Sequence, residues 1–258
     1  MSADPRFDIA GRRVVVTGGG RGLGRALAKG FAAAGAMVVV AGRGQADIEK
    51  VAGEISAAGG RALPVCFDAR REEDCQLVVE RTEQAFGPID AMIVNHGITY
   101  HAAPESFPAA EFRAVVETNL TSCFLCAQAA GRAMIAAGRK GAIVLISSNA
   151  SVATFDGLLA YSASKAGLDH LGRQLAAEWG PKNVRVNMIG PGYMNSHMRG
   201  TEGEYEDAQF LETLMSKIPL RRRGDPQELV GPAIFLASDA SSYLTGAYLP
   251  VDGGYTLP

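Results

Sequence analysis

The chain of 258 residues holds four cysteines and four histidines, and each scarcity closes off a class of protein. Four cysteines at this length are too few for a disulfide scaffold and fit a reducing compartment. Cys123 and Cys126 have the spacing of a metal or redox pair. They fall, however, in the apolar helical run from Leu120 to Ala130, with no second pair near them, where ordinary helix packing accounts for both. The histidines, His96, His101, His170 and His197, show no ligand spacing with one another or with carboxylates, so no metal is required.

Charge of one sign is also missing. Lys and Arg number 25 against 27 Asp and Glu, for a net charge of −2, and the basic residues are scattered apart from Arg221 to Arg223. That triplet reads as a solvated loop before a helix starting near Asp225 and Pro226. Neither nucleic acid nor an anionic membrane is expected as a partner. No uncharged apolar run approaches the roughly 20 residues that span a bilayer, and the opening Met1 to Asp8 lacks the basic-then-apolar pattern of a secretory signal. A cytoplasmic protein is the expectation.

No Pro-rich stretch, linker or charge block interrupts the chain, and 47% of it is hydrophobic, ample for a core. Strands are expected near Arg13 to Thr17, Met37 to Ala41, Ala62 to Phe67, Ala91 to Asn95, Ala142 to Ser147, Arg185 to Ile189 and Ala247 to Val251, with helices in the gaps. This alternation predicts an α/β fold: one Rossmann domain over 1–258, a doubly wound parallel sheet with helices on both faces and ligands at the carboxyl ends of the strands.

Two motifs carry chemistry. Arg13 to Thr17 reads as a buried strand; the turn Gly18 to Gly24 follows, and then the helical run Arg25 to Ala34. Glycines between a strand and a helix let backbone approach a pyrophosphate at the helix N-terminus. The second is Tyr161 with Lys165. Their four-residue spacing stacks both on one helical face, where an ammonium stabilises a phenolate and tunes the phenol for proton transfer. Ser148, closing the preceding strand, is placed to hold a carbonyl between them.

Together these features resemble the short-chain dehydrogenase/reductase family over essentially the whole length. Thr17-Gly18-x-x-x-Gly22-Leu23-Gly24 resembles its cofactor turn, Asn119 its helix asparagine, Ser148, Tyr161 and Lys165 its catalytic residues, and Pro191-Gly192 its motif after the sixth strand. The resemblance implies hydride transfer between a ketone and a secondary alcohol, with Tyr161 as general acid or base, Ser148 on the substrate oxygen, and Lys165 also on the nicotinamide ribose. Asn119 would position a water linking Lys165 to solvent. Asp68 resembles the family's adenine-contacting aspartate, followed here by Ala69. Asn95 and Gly97 match a segment beside the adenosine, whereas His96 departs from it and is expected to be structural. Ser196 takes the place of a threonine that contacts the nicotinamide carboxamide.

Cofactor choice is legible at the end of the second strand. A binder of NAD(H) places an acid there for the ribose hydroxyls, but this chain has Gly42 and then Arg43. Arg43 can pair with a 2′-phosphate, and the resemblance implies that Arg21, inside the glycine turn, is a second cation beside the same phosphate, so NADP(H) is preferred and NAD(H) remains possible.

The resemblance implies a substrate lid after Pro191-Gly192, at about 193–215. Asn149, Phe155, His101, Tyr193 and His197 are candidate pocket walls, whose polarity points to a small polar carbonyl, polyol or sugar acid. One rival reading is a 3-oxoacyl-[acyl-carrier-protein] reductase-like enzyme, with Arg139 and Lys182 docking an acidic carrier. Another is a non-catalytic NADP-binding regulator. The tail Leu244 to Tyr255 resembles one that packs between subunits, so a homotetramer is expected. Pro232 should bend the run Pro226 to Ala237 or end a turn of it.

Overall fold

The computed structural model describes residues 4–196 and 208–257. Seven strands form one parallel sheet in the order β3-β2-β1-β4-β5-β6-β7. They are β1 (Arg13–Thr17), β2 (Met37–Gly42), β3 (Arg61–Cys66), β4 (Ala91–Val94), β5 (Gly141–Ile146), β6 (Val184–Pro191) and β7 (Tyr248–Val251). The order reverses between β1 and β4, and the crevice opens there, outside the carboxyl ends of the strands.

Because both faces are covered, the strands are apolar throughout rather than alternating. The pleat splits them between two cores. Val15 and Val39 pack on one face with Met92, Ile143 and Met188; Val14, Val16, Val38 and Val40 pack on the other with Leu27 and Phe31. All of these are at most 1% exposed, and each fully buried side chain of this size contributes roughly 1.5–3 kcal/mol.

The α-helices are α1 (Gly22–Ala33), α2 (Gln45–Ala57), α3 (Glu72–Phe86), α4 (Ala109–Val116), α5 (Ser122–Ala136), α6 (Leu159–Trp179), α7 (Ala208–Lys217) and α8 (Val230–Ala237). The first turn of α3 holds Glu72, Glu73 and Asp74 against the positive end of the helix dipole, and Gly87 ends it at φ 93°. Among the described residues no helix is long and apolar enough to cross a membrane.

The structure departs from the sequence expectations at several boundaries. Strand β5 ends at Ile146, two residues before Ser148, which instead N-caps a single 3₁₀ turn, Asn149–Ser151, by accepting the Ala150 N–H. Asn119 lies in a π-helical turn, Glu117–Thr121, that joins α4 to α5. The run from Pro226 is also divided. A 3₁₀ turn, Pro226–Leu229, opens with a capping box of Asp225 and Glu228, and α8 begins only at Val230. Pro232 thereby falls in the first turn of α8, where its missing N–H leaves no bond unmade. Within the triplet of arginines, Arg222 pairs with Glu228 at 2.6 Å.

Candidate active site

A cleft of about 1210 Å³ runs over the carboxyl ends of the strands and gathers nearly every candidate residue. Its floor is the glycine turn between β1 and α1. Gly18 and Gly22 hold φ of 64° and 50°, which only glycine adopts without strain. A Cβ at Gly24 would collide with the Gly18 carbonyl oxygen, and one at Gly22 would stand 2.7 Å from Ser196 Oγ. Asn95 holds this turn from below. Its amide donates to the Thr17 carbonyl at 3.1 Å, and its N–H donates to Thr17 Oγ1 at 2.9 Å. The result is a bare backbone cradle at a helix N-terminus, the arrangement that a pyrophosphate requires.

Ser148, at the cap of the turn after β5, and Tyr161 and Lys165, on α6, line the same cleft. Lys165 is 3% exposed, and its ammonium donates to Ile146 O at 2.8 Å and lies 5.7 Å from the Tyr161 ring centre. A Cβ on Gly97 would press on Asn119 Oδ1 at 3.2 Å while making only ordinary contact with Lys165 Nζ at 3.7 Å. Asn119 is fully buried. Its side chain clamps the backbone of Ile98, accepting from N at 2.8 Å and donating to O at 2.9 Å, and it also donates to Ser164 Oγ at 3.1 Å. Ser148 Oγ donates to Asn149 Oδ1 at 3.3 Å, while Tyr248 Oη donates to Ser148 O at 3.1 Å and fixes that backbone.

His96 is held on both sides. Its Nδ1 is 2.8 Å from Thr17 Oγ1 and its Nε2 is 2.7 Å from Ser122 Oγ. Ser122 gives its own proton to Thr118 O at 2.7 Å, so Nε2 is the donor and Nδ1 the acceptor of a neutral ring. Burial, reinforced by Lys165, pushes its pKa down to about 3. The neighbouring thiols are equally inert: burial raises Cys123 to about 11, and Cys126 lies 3.5 Å from Cys75 in the core.

At the far end the cleft is lined by Arg21, Gly42, Arg43, Asp47, Asp68 and Ala69. Asp68 is bound by Arg70, whose guanidinium holds its carboxyl down at about 2. Arg21 is not free for a ligand in this structure, because it pairs with Asp47 at 2.7 Å.

Asn149, Phe155, His101 and Tyr193 all line the cleft, as do Gly192, Pro191 and Ser196. His197 lies outside the described residues, as does 197–207 of the expected lid. From Ala208 the segment forms α7, which turns Phe210, Thr213, Leu214 and Lys217 toward the cleft at helical spacing. Besides these α7 residues, the sequence analysis does not mark Asp47 or Tyr255 as lining the cleft. Asp47 sits in the first turn of α2, and Tyr255 stacks on Phe155 with ring centres 5.5 Å apart. The periodicity of the α7 segment was available in the sequence, whereas no local pattern marks Tyr255.

Residues 18–256 match the family model described as enoyl-(acyl carrier protein) reductase. Gluconate 5-dehydrogenase of Gluconobacter oxydans is 37% identical over 257 residues, covering 100% of this chain and 99% of that protein. The crystal structure of a short-chain type dehydrogenase/reductase from Mycobacterium marinum superposes with a TM-score of 0.93 at 37% identity, covering 98% of this chain and 99% of the other. A gluconate 5-dehydrogenase from Burkholderia cenocepacia, crystallised with NADP and tartrate, gives 0.92 at 34% identity over 98% of each chain. The chain belongs to the short-chain dehydrogenase/reductase family of oxidoreductases.

Proposed function

We propose that this protein interconverts a ketone and a secondary alcohol on a small sugar acid of the gluconate type, using NADP(H) in preference to NAD(H). The observation that carries this reading is the meeting of Ser148, Tyr161 and Lys165 with the glycine cradle in one cleft. The residues present fit the cofactor: the cradle suits a pyrophosphate, and Arg43 beside Gly42 suits a 2′-phosphate where an acid would repel it. When bound, the dinucleotide supplies the site that gives or takes hydride.

The chain's own residues do the rest. Tyr161 delivers a proton to the substrate oxygen in reduction and removes it in oxidation, while Ser148 donates a hydrogen bond to that oxygen as negative charge develops. Lys165 steadies charge on the phenolic oxygen. Asn119 fixes the Ile98 backbone opposite, and the π-helical turn around it gives the wall its shape. Phe155, Tyr193 and Tyr255 close the substrate end as a cluster of rings, with Asn149 offering polar contact.

The carrier-dependent reading is not favoured by the geometry. Arg139 and Lys182 precede β5 and β6, at the amino ends of strands whose carboxyl ends carry the cleft, and Arg139 is paired with Asp90 at 3.2 Å. A homotetramer of D2 symmetry belongs to the same proposal, and light scattering tests it. The activity is tested with NADPH and NADH against keto-sugar acids, simple ketones and a 3-oxoacyl thioester. Turnover confined to the keto-sugar acids and faster with NADPH is expected. Turnover confined to the thioester, or tight NADPH binding with no turnover at all, contradicts the proposal.

A further inference from the structure

The β2–α2 corner holds an acid that the end of β2 lacks. Gly42 stands where a carboxylate would grip ribose hydroxyls, but Asp47, in the first turn of α2, folds back into the same corner of the cleft. Its Cβ is 2.9 Å from where a Cβ on Gly20 would stand, and its Oδ2 is 2.6 Å from one on Gly44. The carboxylate is therefore wedged between the glycine turn and the β2–α2 turn. It takes Arg21, through Nη2 at 2.7 Å and Nε at 2.8 Å, with Arg21 74% exposed and Asp47 34%. Of the three arginines lining this end, Arg21 is paired with Asp47 and Arg70 with Asp68, whereas Arg43 makes no ion pair among the described residues.

We infer that Asp47 sets the balance between NADP(H) and NAD(H) by competing with the 2′-phosphate for Arg21 and by accepting the ribose hydroxyls when that phosphate is absent. The inference rests on the reading of the cleft as a dinucleotide site. A phosphate entering the corner meets a like charge and must draw Arg21 away from an existing partner, so Arg43 carries most of its recognition. A ribose with free hydroxyls meets a carboxylate already oriented by Arg21 and leaves that ion pair intact. The preference for NADP(H) is thereby compressed, and both cofactors are accepted.

Equilibrium binding of NADPH and NADH to the wild type, Asp47→Asn, Asp47→Glu and Arg43→Ala tests this without any substrate. Asp47→Asn should tighten NADPH by roughly two- to fivefold and weaken NADH by a similar factor, the range an exposed ion pair spans. Asp47→Glu, which keeps the charge, should stay near the wild-type ratio. An unchanged ratio in Asp47→Asn, with NADPH still weakened in Arg43→Ala, overturns the role of Asp47 and leaves the cofactor reading intact. Equal NADPH affinity in Arg43→Ala and wild type overturns the cofactor reading, and the inference with it. Unfolding midpoints of the variants without cofactor separate either result from damage to the fold.

Discussion

The ammonium of Lys165 stands 5.7 Å from the centre of the Tyr161 ring, one helical turn along α6, and is anchored to Ile146 O at 2.8 Å. The anchor keeps the charge beside the phenol and away from solvent. Tyr161→Phe retains the ring and removes only the proton. It should leave the NADPH dissociation constant within about twofold and lower kcat by at least roughly 10²-fold, the lower range for general acid-base catalysis. Binding titration and initial rates on the same preparation check both halves.

His96 makes stability sensitive to acid. Its pKa is about 3 in the folded chain against 6.5 for the ordinary group, so below pH 6.5 the unfolded chain binds a proton that the folded chain refuses. The contribution is complete above pH 6.5 and is lost as pH falls toward 3, at up to about 1.4 kcal/mol per pH unit. His96→Gln lacks this titration. Urea unfolding at pH 7.5 and 5.5 should show the wild type losing more stability than the variant, although the variant starts lower for want of the Thr17 and Ser122 bonds.

Gly24 has no space for a side chain. A methyl there meets the Gly18 carbonyl oxygen, backbone that cannot yield without distorting the turn. Gly24→Ala should cost about 1–3 kcal/mol of stability and weaken NADPH binding more than tenfold, a typical outcome of overpacking. Calorimetric unfolding and cofactor titration measure the two effects separately.

Tyr255 belongs to the ring cluster at which the substrate is proposed to bind. It stacks on Phe155 at 5.5 Å and lies 5.5 Å from Tyr193, with Asp252 accepting from Gly254 N and Thr256 N to shape the tail that carries it. Tyr255→Ala should raise KM for the keto-sugar acid by roughly tenfold, the loss of one aromatic contact, and leave NADPH affinity unchanged. Steady-state kinetics with each ligand varied in turn decide it.

The positions of the seven strands along the chain and the convergence of Gly18, Gly22, Tyr161 and Lys165 were legible because each belongs to a local pattern: an apolar run, a glycine turn, a helical spacing; the order of the strands in the sheet was not. Boundaries were less so. Ser148 reads as the end of a strand because Ser147 and Ser148 follow the apolar run of β5 without a breaker, but its hydroxyl caps the next turn instead. Asn119 reads as the family's helix asparagine, but nothing in Glu117–Thr121 announces the wider π turn that carries it. Asp47 and Tyr255 escaped because their sites form only when segments distant in sequence meet. Arg21 was recognised as a cation, but its partner 26 residues on was not.

The most direct measurement uses NADPH carrying deuterium at the transferable position, with 5-keto-gluconate as substrate and mass spectrometry of the alcohol formed. One deuterium on the new carbinol carbon, appearing with wild type and not with Tyr161→Phe, is the predicted result. Product without the label, or labelled product at an undiminished rate from Tyr161→Phe, contradicts the account.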